Sequence, residues 1–315
     1  MKVVFIDVVH PILEERLTKA SFECIDATKS SYAECQVLLQ DAVGMVIRSR
    51  FKVDEELLKS TKNLKFIARS GAGMENIDID YCENRNIHLI NAPEGNCTAV
   101  GEHALGMLLS LLNKLNTADQ EIRKGKWERE GNRGVELTGK TVGIIGLGNN
   151  GSAFAKVLRG FDVEILAYDK YKTNYGTANI KEATLEEIYE RADVLSFHIP
   201  QTKETMYWAD EAFFSQSMKK PFYLLNVARG KIVRIEALIK AIEKGKVLGA
   251  GLDVLEFEKA SFENFFQGEI PVAFQKLLDC DKVILSPHVA GWTHESYYKL
   301  SAVMADKILR MGICK

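Results

Sequence analysis

Three ionisable residues of complementary chemistry each follow a short apolar run in the second half of the sequence. Arg229 stands in Asn226-Val227-Ala228-Arg229-Gly230, Glu258 in the run from Asp253 to Glu258, and His288 in Ser286-Pro287-His288-Val289-Ala290-Gly291. Arginine can grip a carboxylate through two parallel N–H bonds and polarise a neighbouring carbonyl. Histidine exchanges a proton near neutral pH, and a carboxylate beside it orients the ring and favours its charged form. Together the three point to carbonyl chemistry. Ends of strands are where open α/β sheets bind ligands.

A second constellation lies upstream, in residues 141–170, TVGIIGLGNNGSAFAKVLRGFDVEILAYDK. Gly146, Gly148 and Gly151 have the G-x-G-x-x-G spacing, and Asp169 closes the next apolar run 18 positions after Gly151. The first glycine allows a tight strand-to-helix turn. The second lets the backbone approach a pyrophosphate, and the third lets helix and strand pack closely. The helix that follows offers unpaired N–H groups and the positive end of its dipole to phosphates. Asn149 and Asn150 can add hydrogen bonds there. An acid at the position of Asp169 accepts from the adenosine ribose and repels a 2′-phosphate, which favours NAD over NADP, with Lys170 and Lys172 as a partial offset.

Elements must position these groups. Short apolar runs at 3–6, 45–47, 64–68 and 88–90 read as strands, with helical stretches between them such as 55–60. A long helical pattern covers 100–123 and leads to Trp127. Further strands are expected at 142–145, 163–168, 194–198, 222–226, 248–253 and 283–286, and a last helix at about 296–309. This alternation predicts an α/β protein of two doubly wound domains. A Rossmann NAD-binding domain, 100–288, is inserted in a smaller flavodoxin-like domain made of 1–99 and 289–315. The last helix is expected to pack back on that first domain.

Bulk properties exclude several classes. The 41 basic and 43 acidic residues leave a net charge of −2, without the basic excess of a nucleic-acid binder. No apolar run approaches membrane-spanning length, and the N-terminus reads as a strand, not a signal peptide. Cys24, Cys35, Cys82, Cys97, Cys280 and Cys314 have no C-x-x-C spacing, so neither structural zinc nor a disulfide framework is expected, and no metal. Lone thiols suit a reducing cytoplasm.

The chain resembles the D-isomer-specific 2-hydroxyacid dehydrogenases, and within them the phosphoglycerate dehydrogenase branch. The resemblance is carried by RSGAGMENID at 69–78, GNCTAVGEHALG at 95–106, GKWER at 125–129, ELTGKTVGIIGLG at 136–148, NVARGKIV at 226–233 and PHVAG at 287–291. It implies Arg229 as the residue that binds substrate and polarises its carbonyl, His288 as general acid–base and Glu258 as its carboxylate partner. Gly71, Ala72 and Gly73 are implied as a loop whose amides grip the substrate carboxylate. Asp253 is implied as a contact to the nicotinamide carboxamide, and His198, Ile199, Pro200 and Thr205 as the wall beside the adenosine. Thr98, Asn226, Val227, Ala228, Ala290 and Gly291 complete the implied cofactor side.

For the substrate, Arg48, Ser49 and Arg69, with Arg50 nearby, suit a phosphorylated 2-hydroxy acid. Lys126 and Arg129 resemble basic residues that a dimer partner lends, so a homodimer is expected. The reaction so implied is oxidation of 3-phospho-D-glycerate to 3-phosphohydroxypyruvate, a step of serine biosynthesis. Alternatives are a glyoxylate or hydroxypyruvate reductase, a D-lactate or 4-phosphoerythronate dehydrogenase, and an NAD-sensing corepressor-like scaffold.

Several residues depart from the family pattern. Arg234 stands where Asp or Asn is usual, Lys259 replaces a proline, Trp292 replaces a small residue, and the segment after Glu258 is long. Because the sequence ends at Lys315, no appended regulatory domain is expected.

Overall fold

The structure is a computed structural model that describes residues 1–258 and 271–313; Lys259 and Cys314 lie outside the described residues. The chain divides into two compact units, Met1–Cys97 with Trp292–Lys315, and Thr98–Gly291.

The first unit runs β1 (Lys2–Phe5), α1 (Ile12–Lys19), β2 (Glu23–Asp26), α2 (Tyr32–Leu38), β3 (Gly44–Ile47), α3 (Glu55–Leu58), β4 (Phe66–Arg69), α4 (Ile79–Asn84) and β5 (His88–Ile90). Its strands pair in parallel in the order β2-β1-β3-β4-β5, the flavodoxin-like order. Alternation along the strands splits the core into two faces. Val4, Met45, Ile47 and Ile67 pack with Cys35, Leu57, Leu58 and Cys82 from α2 to α4. Val3, Phe5, Val46, Phe66 and Ala68 pack with Leu13 and Leu17 of α1 and with Leu300, Met304 and Ile308 of the C-terminal helix His294–Arg310. Strand β2 has no apolar run to announce it: it is a half-exposed edge strand, held by its ladder to β1.

Helix α5 (Pro93–Leu112) carries the chain into the second unit, which continues with α6 (Leu115–Arg123), β6 (Thr141–Ile145), α7 (Asn149–Val157), β7 (Glu164–Tyr168), β8 (Lys181–Glu182), α8 (Leu185–Arg191), β9 (Val194–Phe197), β10 (Phe222–Asn226), α9 (Ile235–Glu243), β11 (Val247–Leu252), α10 (Val272–Leu278) and β12 (Val283–Leu285), before the C-terminal helix, α11. The strands form one parallel sheet, β12-β11-β10-β9-β6-β7-β8. The order reverses between β6 and β9, and in such sheets ligands bind beyond the strand ends at that reversal. Among the described residues seven strands replace the six expected; the extra one, β8, is a two-residue exposed edge.

The single helix expected over 100–123 is two helices. Lys114 adopts the left-handed conformation (φ 50°) and breaks the run. The apolar face of α5 is buried in its own unit, where Val100, Ala104, Met107, Leu108 and Leu111 meet Ile144 and Phe154. The exposed apolar side chains belong instead to α6 and its extension: Leu115, Ile122 and Trp127, the last 78% exposed.

Candidate active site

The glycine turn follows β6. Gly146 takes φ +95°, and a Cβ on Gly151 would lie 2.0 Å from the Gly146 carbonyl oxygen, so helix and strand approach here as only glycine allows. Gly148 is the N-cap of α7 and supplies no side-chain cap, leaving the helix N-terminus open to an anion. Asn149 is exposed beside it, and Asn150 holds a buried Oδ1 that finds no partner among the described residues.

At the end of β7, Asp169 accepts from Leu147 N (2.9 Å), Tyr171 N (2.9 Å) and Lys172 N (3.2 Å). Its carboxylate thereby joins the glycine turn to its own loop. Lys170 is paired with Glu204 at 2.5 Å, and the Lys172 ammonium donates to Leu147 O at 2.6 Å. Both lysine charges are engaged, which weakens the offset they offer to a 2′-phosphate.

After β9, His198 contacts Ser196 Oγ through Nε2 at 2.8 Å, while its Nδ1 is buried with no partner among the described residues. Burial drives this imidazole down to a pKa of about 3, so it is neutral at physiological pH. Ile199 and Pro200 follow, and the Thr205 hydroxyl closes the loop by donating to Pro200 O (2.6 Å) and accepting from Thr202 N (2.8 Å). These open amides, glycine contacts and orphaned polar atoms fit a dinucleotide. Thr98 lies on α5.

The catalytic candidates come from the ends of β10, β11 and β12. Asn226 is fully buried and stitches the first turn: its Oδ1 accepts from Ala228 N (3.2 Å) and its Nδ2 donates to Arg229 O (3.0 Å) across Val227. Arg229 itself donates from Nη1 to Ala228 O at 2.6 Å. The next residue, Gly230, lies against the second turn, where a Cβ would come within 1.9 Å of Leu255 O. In that turn Glu258 accepts through Oε1 from the Leu255 amide, and its Oε2 lies 2.8 Å from His288 Nδ1. Both side chains are mostly buried, 18% and 26% exposed, which strengthens the pair relative to a surface one.

His288 adopts the left-handed conformation (φ 57°), unusual for a residue with a Cβ. The loop is held by Asp253, only 1% exposed. Its main-chain oxygen accepts from His288 N (2.8 Å), and its carboxylate accepts from Val289 N (2.9 Å), Ala290 N (2.9 Å) and Ser286 Oγ (2.6 Å). Gly291 ends the loop. The roles of Ser286 and of His103, 2.9 Å from Ser286 Oγ, escape motif reading.

In the first unit, Asp7 sits at the strand-order reversal between β1 and β3. It accepts from the amides of Arg48, Ser49 and Arg50 at 2.6, 3.1 and 3.3 Å. The Arg50 guanidinium is spent on the fold: it donates to Ile6 O, Ala27 O and Ser30 O. Arg48 differs. Its guanidinium lies 4.3 Å from the Trp292 ring centroid, a cation–π stack. Arg69 lies across Gly71, where a Cβ would sit 1.7 Å from Arg69 Nη1. The Gly71 and Ala72 carbonyls are taken by Ala92 N (3.0 Å) and Asn91 Nδ2 (2.6 Å). The N–H groups of Gly71, Ala72 and Gly73 find no acceptor among the described residues. Backbone N–H groups left open in this way can donate to an anion.

The departure at Arg234 also has a physical account. Arg234, at the N-cap of α9, offers no side-chain cap; Glu256 supplies it by accepting from Ile235 N at 2.9 Å. Arg234 stacks on Tyr207 at 4.2 Å.

Comparison with known proteins gives this geometry a setting. The family model for "D-isomer specific 2-hydroxyacid dehydrogenase, NAD binding domain" matches residues 105–290. The chain is 36% identical over 310 residues to D-3-phosphoglycerate dehydrogenase of Archaeoglobus fulgidus, covering 97% of this chain and 56% of that protein. It thus spans little more than half of that relative. Hydroxypyruvate reductase of Thermotoga maritima is 32% identical over 281 residues, covering 89% of this chain and 88% of that one. Among solved structures, D-lactate dehydrogenase from Aquifex aeolicus complexed with NAD and lactic acid superposes with a TM-score of 0.82 at 29% identity, covering 99% and 95% of the two chains.

Proposed function

Because the chain belongs to the D-isomer-specific 2-hydroxyacid dehydrogenase family, we propose that it interconverts a D-2-hydroxy acid and its 2-keto acid. The observation that carries this reading is the Glu258–His288 pair at 2.8 Å, in the same unit as an open glycine turn. Gly146 to Gly151, Asp169 and the 198–205 loop would hold NAD, whose nicotinamide would supply the hydride acceptor. Arg229 holds the substrate carboxylate and the developing alkoxide-like oxygen. His288 takes the hydroxyl proton at Nε2, while its Nδ1–H stays on Glu258, which stabilises the imidazolium. In reduction the proton runs the other way. Residues 100–288 form the cofactor domain in this reading, and 1–99 with 289–315 the substrate domain.

For the substrate we propose 3-phospho-D-glycerate. Arg48 supports it: the guanidinium is braced on Trp292, and among the described residues it is paired with no carboxylate. The open amides of Gly71, Ala72 and Gly73 support a grip on the carboxylate end. With Arg50 consumed by the fold, Arg48 and Arg69 carry the phosphate assignment. A small unphosphorylated acid, such as glyoxylate or hydroxypyruvate, is the second reading, favoured by the bulk of Trp292. A substrate panel followed by nicotinamide absorbance separates the two. Arg48→Ala should raise KM for phosphoglycerate about tenfold or more, the worth of one charge-assisted bond, and leave KM for glyoxylate nearly unchanged. Equal small effects would remove the phosphate assignment. The exposed Leu115, Ile122 and Trp127 support a homodimer formed through the second unit.

A further inference from the structure

Helix α5 meets strand β11 in a register that reaches the active-site loop. Side chains at 249, 251 and 253 share one face of the strand, and those at 103, 107 and 111 share one face of the helix. A Cβ on Gly249 would lie 3.4 Å from Leu111 Cδ2, and one on Gly251 would lie 3.2 Å from Met107 Cβ. Four helical residues rise about 6 Å and two strand residues about 6.6 Å, so the next pair in step is His103 with Asp253. They do meet: His103 Nε2 is 3.6 Å from Asp253 Oδ1 and 2.9 Å from Ser286 Oγ. The two glycines let the helix come close enough for the contact.

The direction of the hydrogen bonds follows from counting protons. Ser286 Oγ has one hydrogen, and it is donated at 2.6 Å to Asp253 Oδ1, an acceptor. Ser286 must therefore accept from His103, which places a proton on His103 Nε2. A chain of donors thus runs from His103 through Ser286 to Asp253. The Asp253 carboxylate in turn holds the amides of Val289 and Ala290, and its main-chain oxygen holds His288 N. The loop needs such restraint, because a non-glycine residue in the left-handed region is strained and persists only when its surroundings hold it.

We propose that His103 is a positioning residue for His288, acting through Ser286 and Asp253 to hold the 286–290 loop. The inference rests on the reading of His288 as the acid–base group. It is tested in the full chain with His103→Phe, Ser286→Ala, their double variant and His103→Gln, whose amide can restore the donor. His103→Phe and Ser286→Ala should each lower kcat about tenfold, the upper end of what one buried hydrogen bond is worth, with KM for the acid changed less than twofold. The double variant should be no worse than either single one, as expected for members of one chain. His103→Gln should recover most of the loss.

A second readout needs no turnover. In long-range imidazole 1H–15N spectra, with His288→Ala identifying the signal, the His288 resonances should shift in His103→Phe and return in His103→Gln. Losses that multiply in the double variant, or an unmoved His288 signal with parental kcat in His103→Phe, would overturn the proposal. Absence of turnover in the parent with every acid would overturn the functional reading instead, and the spectra would then decide the positioning role alone.

Discussion

Replacing Glu258 by Gln changes one atom and should disable oxidation by a route the geometry specifies. The Glu258 carboxylate serves two donors, the Leu255 amide on Oε1 and His288 Nδ1 on Oε2, the latter at 2.8 Å. A glutamine has one carbonyl oxygen. If that oxygen keeps the Leu255 bond, its NH2 faces His288 Nδ1, which must then act as an acceptor. The proton moves to Nε2, and the ring can no longer accept one from a substrate hydroxyl. Turning the amide over restores the tautomer at the cost of the Leu255 bond, about 1–1.5 kcal/mol, and the charge-assisted bond to the imidazolium is lost besides, about 1.5–3 kcal/mol. The combined cost of about 2.5–4.5 kcal/mol predicts kcat lower by about seventy- to two-thousandfold, with KM for NAD unchanged. The assay is reduced-nicotinamide formation at saturating acid, with thermal unfolding to show that the fold survives. A kcat within threefold of the parent would refute the assignment of Glu258 as the partner of an imidazolium.

Other perturbations test other parts. His198 is neutral in the fold with a pKa of about 3 against an ordinary 6.5, so the unfolded chain binds the extra proton and stability falls as pH drops from about 6.5 toward about 3. Because part of His198 is still solvent-accessible, about 2 kcal/mol is an upper bound on the loss by pH 5; urea unfolding at pH 7 and pH 5 should show a smaller loss in His198→Gln, and parallel losses would contradict this. Asp169→Ala should weaken NAD binding about tenfold by removing a charged acceptor, and adding Glu204→Ala, which frees Lys170, should raise NADP use further; no gain in the double variant would show that the Lys170–Glu204 pair is irrelevant to the choice. Gly230→Ala places a Cβ 1.9 Å from Leu255 O, a backbone clash that should cost about 1–3 kcal/mol or more and lower kcat together with the melting temperature; an unchanged melting temperature would mean that the turns can separate freely.

Much of the fold is legible because both sheets are parallel and covered on both faces, so their strands read as apolar runs. Strands β5 and β10 fall where their runs do, and β3, β6 and β9 within a residue or two. The misses are elements whose stability comes from elsewhere. β2 and β8 are edges with little buried surface, specified by the ladder to a neighbour. The break between α5 and α6 turns on one left-handed residue, Lys114, in a sequence with no glycine or proline there to mark it. Apolar periodicity continues across the break, yet it serves two surfaces: buried on α5, exposed on α6.

At the site, residue type was legible and employment was not. Arg48 and Arg50 are two positions apart and look equivalent in sequence, yet Arg50 donates to three main-chain oxygens while Arg48 stacks on an indole some 240 positions away along the chain. Local spacing cannot separate them, because the difference lies in which side chain finds unpaired carbonyls beneath it. The same holds for Asp253. A motif marks it as a cofactor contact, but its burial and its bonds to Val289, Ala290 and Ser286 make it the anchor of the loop that carries His288. The spacing that links it to His103 was present all along, glycines at 249 and 251 before the acid, and Met107 and Leu111 at four-residue intervals after the histidine. Each pattern alone reads as ordinary packing. Only the match between a two-residue strand step and a four-residue helix step makes them one feature, and that match exists only once α5 is known to lie on β11.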